Sequence, residues 1–504
     1  MNVVVGIADF LVNQILSVPA FLVGMIVAVG LAALKRSVGQ IVGGALKAIM
    51  GFLILGAGAD VVVGSLEPLG TMILGATGAQ GVVPTNEAIV SIAQADFGGS
   101  TAYVMILGFV IALLLARFTP LKYVFLTGHH VFFMATMLTV VLATAEVSNV
   151  VVVIVGSILL GVIMVIMPSF AHPFTKKVTG NNTVAIGHFG TLGYVISGSV
   201  GSLVGKKSKS TEDLKLPQGL NFLRDSMVAT ALSMVLFYAV FSVWYLLAVG
   251  SEEALALFGS ENTGAYIMTA LTNGLMFGVG VAVILYGVRI VLGEIVPAFQ
   301  GIAAKVVPGA VPALDCPIVF PYAPNAVLVG FVFSFTGGLV SLLLLATVFG
   351  PAFGLALILP GMVPHFFTGG AAGVYGNATG GRRGAMLGAF CNGVLITFLP
   401  ALLLKVLGSL GFANTTFGDA DFGWYGFLIG NGIKPGGIVG IIIVLVIGII
   451  LVGLASVWQR KVVDAGWEPA RAHTKFLAEA KAAQQKPATG AKATAAKPTE
   501  KGKE

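Results

Sequence analysis

Hydrophobic residues form long, nearly uninterrupted stretches of this chain, and polar residues gather in the short intervals between them. A helix that crosses a bilayer needs about 20 consecutive, mostly apolar residues. Windows of that size predict eleven membrane-spanning helices, near 10–33, 41–66, 102–116, 123–144, 149–170, 226–249, 265–290, 326–349, 352–375, 384–407 and 436–457. We therefore expect an all-α, polytopic membrane domain over residues 1–458, without a cleavable signal peptide.

Two stretches fit poorly as complete spans. Residues 181–204 are rich in Gly and Ser and contain His188, and residues 308–325 are rich in proline and contain Asp315. Each stretch lies between segments predicted to face the same side, so we predict two re-entrant hairpins. Non-helical backbone at membrane depth is tolerated only where protein or a water-filled cavity surrounds it. A pair of broken segments, one in each half of the chain, indicates the binding site of a transporter.

The composition supports a membrane protein and excludes several other classes. The 504 residues are 57% hydrophobic and 10% charged, whereas soluble domains are about 25% charged. A cytosolic enzyme, a disordered chain and a disulfide scaffold are therefore excluded. The net charge of +7 does not indicate nucleic-acid binding, because residues 459–504 alone hold ten basic and five acidic side chains. We expect these residues to form a cytoplasmic, largely disordered tail.

The charges in the predicted loops indicate the orientation. Cytoplasmic loops of membrane proteins carry an excess of Lys and Arg. If the N-terminus lies outside, the inside connections hold most of the basic residues, including Lys35, Arg36, Arg382 and Arg383. The outside connections are then acidic and hold Glu67, Glu87, Asp96, Glu146, Glu252, Glu253, Glu261, Asp419 and Asp421. Eleven spans place the C-terminal tail in the cytoplasm.

Ionisable residues at membrane depth are costly and are functional candidates by default. Three motifs carry them: LTGHH with His129 and His130, GHFG with His188, and ALDC with Asp315. The structural alternatives are histidines that tie helices together, and an ion pair of Asp315 with Arg289 or Lys305. Adjacent histidines lack the i, i+4 spacing of a helical metal pair, so no metal site is predicted.

Two further motifs are weaker. On spacing alone, PTNE with Thr85 and Asn86 indicates an ordinary helix start. Cys316 beside Asp315 is expected to be a small buried hydrophobic residue, because nothing near it in sequence activates a thiol. The chain contains no P-loop, zinc motif or dinucleotide fingerprint. We therefore predict no catalytic residue and no cofactor.

Several motifs together resemble a known family. LTGHH, VAIGHFG, GKKSKSTEDLKLP, PGAVPALDC and YAPNAV resemble segments of the membrane EIIC component of the ascorbate-specific phosphotransferase system (PTS). The resemblance covers about residues 19–457. It implies a homodimeric permease in the bacterial inner membrane, with a stationary dimerisation part and a mobile core that moves like an elevator. Separate EIIB and EIIA proteins would phosphorylate the sugar at the cytoplasmic face.

The resemblance also implies a set of substrate-binding residues. They are Thr85, Asn86, His129, His130, Phe133, His188, Phe189 and Asp315. Phe133 and Phe189 stand where the family commonly carries amides, and a ring cannot reproduce the donors and acceptors of an amide. The accepted hydroxyl pattern is therefore open between ascorbate and a related small sugar or pentitol. The alternative reading of the chain is an ion- or proton-coupled secondary transporter of a small polar solute.

Overall fold

The computed structural model describes residues 19–214 and 226–485, and the structural account concerns these residues. Helices account for most of them, and six short strands interrupt the helical pattern. The helices are α1 (Pro19–Ala33), α2 (Val38–Thr77), α3 (Asn86–Phe118), α4 (Gly128–Ala143), α5 (Asn149–Thr179), α6 (Thr191–Val204), α7 (Ser226–Val249), α8 (Ser251–Phe258), α9 (Thr263–Val306), α10 (Pro324–Leu344), α11 (Gly350–Phe353), α12 (Met362–Leu403), α13 (Ala420–Ile433), α14 (Gly437–Trp458) and α15 (Arg471–Gln485). The strands are β1 (Gly81–Pro84), β2 (Tyr123–Phe125), β3 (Ala185–Ile186), β4 (Val311–Leu314), β5 (Leu357–Ile358) and β6 (Thr415–Thr416).

Within the described ranges, eight helical segments are long and apolar enough to cross a membrane. They begin in α2, α3, α5, α7, α9, α10, α12 and α14. The prediction of a polytopic helical membrane protein is therefore confirmed at this level. The number eleven stays a prediction, because the first window begins outside the described residues and the window 123–144 contains β2 followed by the short helix α4.

Helix α12 is folded back on itself and overlaps two of the predicted windows. Its backbone leaves helical geometry at Gly380 and Gly381, where Gly381 has a φ of 54°. Asn392 Nδ2 donates a hydrogen bond to Thr368 Oγ1 at 3.0 Å. In a straight helix these residues would lie about 36 Å apart. The segment is thus a helical hairpin with arms at 362–379 and 382–403, which explains why windows 352–375 and 384–407 were separate in the sequence.

The six strands form two small parallel sheets, which the all-α prediction missed. One sheet has the order β5-β1-β6 and the other has the order β2-β4-β3. The predicted hairpin 181–204 consists of β3 followed by α6, and the predicted hairpin 308–325 consists of β4 followed by a short helical segment, Cys316–Tyr322. Both stretches therefore break the helical pattern as the sequence indicated. Their re-entry into the membrane stays a prediction.

The two sheets have equivalent connectivity. In each sheet the central strand comes from one half of the chain and the two outer strands come from the other half. Strands β1, β2 and β3 of the first half thus correspond in order to β4, β5 and β6 of the second. Each of the six strands is followed at its carboxyl end by a helix or a helical turn. This arrangement places the carboxyl ends of strands from both halves around one region of the protein.

Close packing of α10 against α12 depends on glycine. A Cβ atom on Gly373 would overlap the backbone oxygen of Ala326, and one on Gly330 would overlap the backbone oxygen of Gly369. A Cβ on Gly453, in α14, would meet nothing within 4 Å. Small residues allow helix backbones to approach closely in membrane proteins. Position 373 therefore needs glycine for packing, whereas position 453 does not.

We predict opposite effects for the two matched helical substitutions Gly373→Ala and Gly453→Ala. Both exchange Gly for a better helix former, but only Gly373→Ala also forces α10 away from α12, at a cost of about 1–3 kcal/mol. Thermal unfolding in detergent should show a lower midpoint for Gly373→Ala and an unchanged or higher midpoint for Gly453→Ala. Equal midpoints would contradict the close packing.

Candidate functional site

A cavity of about 280 Å³ lies at the carboxyl ends of both sheets. Sites for small molecules are typically about 300–1,000 Å³, so this cavity suits a small ligand. All six strands lead into it, because each strand is followed within a few residues by a lining side chain. The lining residues are Asn86, Glu87, His129, His130, Phe133, His188, Arg289, Asp315, Pro317, Val363, Pro364, Phe367 and Asp419.

One wall of the cavity is a cluster of two histidines and a carboxylate, each placed after a strand of the β2-β4-β3 sheet. His129 Nε2 lies 3.4 Å from Asp315 Oδ2, and His188 Nε2 lies 3.9 Å from Asp315 Oδ1. The pairing of parallel strands in this sheet brings together residues 129, 188 and 315, which are far apart in sequence. Asp315 is 37% exposed at its side chain and His188 only 5%. The carboxylate therefore faces the cavity, with the two imidazoles beside it.

Backbone hydrogen bonds fix which nitrogen of each buried imidazole is the donor. The N–H of Gly190 donates to His188 Nδ1 at 2.9 Å, and the N–H of Phe189 donates to His130 Nδ1 at 3.3 Å. A nitrogen that accepts a backbone N–H carries no proton, so in the neutral ring the proton resides on Nε2. His188 therefore presents an N–H towards Asp315. Its ring works as an oriented donor next to an acceptor.

The opposite wall comes from the other sheet. Asn86, at the start of α3, accepts a hydrogen bond from the N–H of Gly418 at 2.8 Å and donates through Nδ2 to Asp419 Oδ2 at 2.7 Å. Glu87 is buried beside them and also lines the cavity. This wall therefore offers carboxyl and amide groups to a ligand. A molecule with several hydroxyl groups could exchange hydrogen bonds with both walls.

Asp421 connects the two halves behind the cavity. Its carboxylate accepts hydrogen bonds from the N–H groups of Thr191 and Leu192, at 2.9 and 3.1 Å, and from Trp424 Nε1 at 2.9 Å. The first N–H groups of a helix have no partner within that helix, so Asp421 of α13 caps α6. The N–H of Asp421 in turn donates to the carbonyl of Phe189. This pair of contacts fixes the turn that carries His188.

The cavity brings together six of the eight residues that the sequence singled out. Asn86, His129, His130, Phe133, His188 and Asp315 line it, whereas Thr85 and Phe189 do not. Phe189 is fully buried and stacks on Phe125 at 4.8 Å between ring centroids. Its backbone contacts His130 and Asp421, so this position shapes the site from behind. The assignment of these residues to a substrate stays a prediction.

The structure also bears on the alternatives for Asp315 and Cys316. Among the described residues, Asp315 lies within 4 Å of the His129 and His188 rings and forms no ion pair with Arg289, which lines the cavity from α9. The side chain of Lys305 lies outside the described part of the structure. Cys316 is completely buried, and its Sγ lies 3.8 Å from the carbonyl oxygen of Phe367. This agrees with a small buried residue.

Three acidic residues of this region were misplaced by the sequence reasoning. Glu87, Asp419 and Asp421 were counted in outside loops, but the structure buries all three. The count of outside acidic charge is weakened accordingly, and the orientation stays a prediction.

A spacing of 230 residues relates β1 to β4 and β3 to β6, with Gly193 and Gly423 in equivalent positions. This internal repeat was the signal that could have placed Asp419 near His188.

Groups that could ligate a metal occur in the same cavity. His129, His130 and Asp315 offer ligand atoms that lie within 4.8 Å of one another. However, His130 Nδ1 and His188 Nδ1 already accept backbone N–H groups. Only their Nε2 atoms could bind a metal, after losing the protons that face the cavity. The observed hydrogen bonds therefore favour a polar organic ligand over a cation.

Comparisons with known proteins agree with this geometry. The family described as "PTS system sugar-specific permease component" (EIIC-GAT) matches residues 14–421 of the chain. The ascorbate-specific PTS system EIIC component of Mycoplasma pneumoniae is 30% identical over 420 residues, which cover 74% of this chain. The matched region spans 63% of the length of that relative. The resemblance seen in the motifs is thereby confirmed.

We predict that Asp421→Ala loosens the turn that carries His188. Removal of a helix cap costs about 0.5–2 kcal/mol, and about 1.4 kcal/mol corresponds to a factor of ten. Hydrogen exchange measured by mass spectrometry should accelerate roughly tenfold in peptides containing Thr191 and Leu192. Asp96→Ala, at an exposed position on α3, should leave these peptides unchanged. Unchanged protection in Asp421→Ala would show that the cap does not hold the turn.

Proposed function

The chain belongs to the sugar-specific permease family of the phosphotransferase system, and from this premise we propose that it is the EIIC component for a small polar sugar. It would bind L-ascorbate or a related sugar or pentitol and move it across the bacterial plasma membrane. Phosphorylation would be performed by separate EIIB and EIIA proteins. The permease chain would contribute binding and movement, without a catalytic residue of its own.

The observation that carries this proposal is the His129–Asp315–His188 cluster in a small cavity between two sheets. A carboxylate accepts hydrogen bonds from two neighbouring hydroxyl groups, and the imidazole N–H groups donate to ring or hydroxyl oxygens. Asn86 and Asp419 supply the same kinds of group on the opposite wall. The alternation of donors and acceptors suits a polyhydroxylated molecule.

Phe133 gives the cavity an apolar side. It lies at the edge of the His129 ring, with ring centroids 5.7 Å apart, and lines the cavity with Phe367 and Pro364. An apolar surface can pack on the C–H face of a sugar and does not compete for its hydroxyl groups. Phe133 therefore supports a sugar substrate. It also supports a substrate whose hydroxyl groups are arranged differently from those of the substrates of relatives that have an amide at this position.

A movement of the site across the membrane also belongs to the proposal. Helices α2, α7 and α9 share one buried hydrophobic cluster, which includes Val62, Tyr238 and Phe277. Helices α6, α10 and α12 share another cluster, which includes Tyr194, Phe331 and Tyr375. Among the four clusters of the described residues, these two separate the helices α2, α7 and α9 from α6, α10 and α12, as two parts that slide against each other require. We assign the first to a stationary part in a homodimer and the second to the mobile core.

The rival function is an ion- or proton-coupled secondary transporter. Glu87, Asp419 and Asp421 are buried acidic side chains close to the cavity, and such chains of acidic residues and histidines occur in proton relays. The two functions differ in their product. Proteoliposomes containing the permease, with EIIA, EIIB and a phosphoenolpyruvate-driven phosphate supply, should produce sugar phosphate from ascorbate, a pentitol or a hexitol. Free sugar that accumulates under a proton gradient alone would favour the rival.

We predict that His188→Ala and Asp315→Ala each reduce sugar affinity by at least about 100-fold while the dimer stays folded. Each change removes a polar partner and leaves the other unpaired, which costs about 1–3 kcal/mol or more for charged groups. The measurement is the rise in unfolding temperature caused by the sugar that wild type prefers. Asp96→Ala serves as the matched control. A normal rise in both alanine variants would contradict the site assignment.

A further inference from the structure

The loop 205–214 holds basic side chains that the fold does not use. Lys206, Lys207 and Lys209 are exposed, whereas Ser208 and Thr211 between and beside them are buried. Residues 208–212 make the hydrogen bonds that join the loop to the rest of the protein. The loop is therefore attached through this segment, while its three lysine side chains stay exposed.

The first attachment is the tip of the α12 hairpin. The N–H of Arg382 donates to the carbonyl of Lys209 at 2.8 Å, and Arg382 Nε donates to the carbonyl of Ser210 at 2.9 Å. The N–H of Arg383 donates to Ser208 Oγ at 3.2 Å. A side chain at Gly381 would collide with the backbone of Lys209. The tip of the hairpin is thus shaped to receive the loop, and the Arg383 side chain remains exposed beside the lysines.

The second attachment is the start of α10. Glu212 accepts hydrogen bonds from the N–H groups of Asn325 and Ala326, at 3.2 and 3.1 Å. Asn325 Nδ2 returns hydrogen bonds to the carbonyls of Thr211 and Leu214. A carboxylate at a helix N-terminus is a favourable cap. This cap fixes the Glu212 carboxylate at the start of α10, and Glu212 and Asp213 are the two exposed acidic residues of the loop.

These attachments link the loop to elements that carry the candidate site. The loop begins at the end of α6, whose other end follows His188. Fourteen residues of helix place the loop about 20 Å from that turn. Helix α10, capped by Glu212, begins just after the segment that follows Asp315. A molecule bound on the loop would therefore be held at a fixed position relative to the sugar site.

We propose that Lys206, Lys207, Lys209 and Arg383 form the docking surface for an acidic face of phosphorylated EIIB. This inference rests on the proposed function and names the partner surface of the same permease. Opposite charge steers association and raises its rate at low salt. A phosphorylated partner brings further negative charge. The four basic side chains outnumber the two exposed acidic residues of the loop, Glu212 and Asp213, which gives the required sign.

The rigid attachment favours a protein partner over the membrane surface. Anionic lipids attract basic residues by about 1 kcal/mol each without a fixed geometry. A specific protein complex gains from a surface that is ordered before binding. Hydrogen bonds at both attachments order this loop. Such ordering serves a partner that must present its phosphoryl group in one orientation.

The test compares two adjacent pairs of basic residues in the full-length protein, reconstituted in nanodiscs of zwitterionic lipid and, in parallel, in nanodiscs that contain anionic lipid. The variants are Lys206→Glu/Lys207→Glu and the control Lys35→Glu/Arg36→Glu, which changes an exposed pair at the end of α1. Binding of phosphorylated EIIB and transfer of its phosphoryl group to the sugar are both measured at several salt concentrations. We expect the loop variant to lose at least tenfold in EIIB affinity at low salt, with sugar binding unchanged. The control should behave like wild type.

The outcomes separate this inference from the proposed function. If wild type transfers no phosphoryl group to any sugar, the proposed function fails and the docking surface fails with it. If wild type transfers and both double variants bind EIIB equally well, the function stands and the docking surface is overturned. If the loop variant differs from the control only in nanodiscs that contain anionic lipid, lipid is the occupant and the inference is also overturned.

A second variant tests the role of the rigid attachment. Glu212→Ala removes an acidic side chain and the cap of α10 but leaves every lysine in place. Attraction by charge alone predicts tighter EIIB binding, because the surface becomes more basic. An ordered docking surface predicts weaker binding, with sugar binding retained as proof of folding. Tighter binding would overturn the ordered surface.

Discussion

The structure depends on one constraint: backbone that leaves helical geometry inside a membrane protein must still have hydrogen-bond partners. Here the partners are other strands, in two parallel three-stranded sheets that each combine both halves of the chain. Parallel pairing forces neighbouring strands to end at the same edge. Because a helix or helical turn follows every strand, the residues at the starts of these helices also gather around the cavity. The polar site thus results from the strand pairing that supplies hydrogen-bond partners to the segments that interrupt the helices.

This constraint explains what the sequence could and could not predict about the fold. Long apolar windows mark helices through composition alone, so α5 and α14 were evident. Strands of two to four residues have no periodicity of their own, and their pairing joins residues as distant as Val83 and Thr415. The breaks at 181–204 and 308–325 were visible as Gly and Pro enrichment. The sheets that join them were not, because register is a property of the folded chain.

The residues of the candidate site likewise divide into those that the sequence predicted and those that it missed. His129, His188 and Asp315 were recognised because ionisable residues at membrane depth are rare, and the β2-β4-β3 sheet brings them together. Asp419 and Glu87 were missed, since a local window cannot distinguish an acidic loop from a short buried strand with its helix start. Asp421 was missed for a related reason: its role is to cap α6, more than 200 residues away in sequence. Contacts between the two halves of the chain can be identified only from the internal repeat or from the structure.

The same short elements also connect the 205–214 loop to the cavity. Helix α6 has the His188 turn at one end and the 205–214 loop at the other. Asp421, from a distant segment, holds the turn, and Glu212, within the loop, holds the loop to the start of α10. If the proposed mobile core moves as a body, these contacts require the loop to move with the candidate site. A partner bound on the loop would then follow the substrate through the movement. Its phosphoryl group would stay at one distance from the sugar, which a partner bound to the stationary part could not achieve.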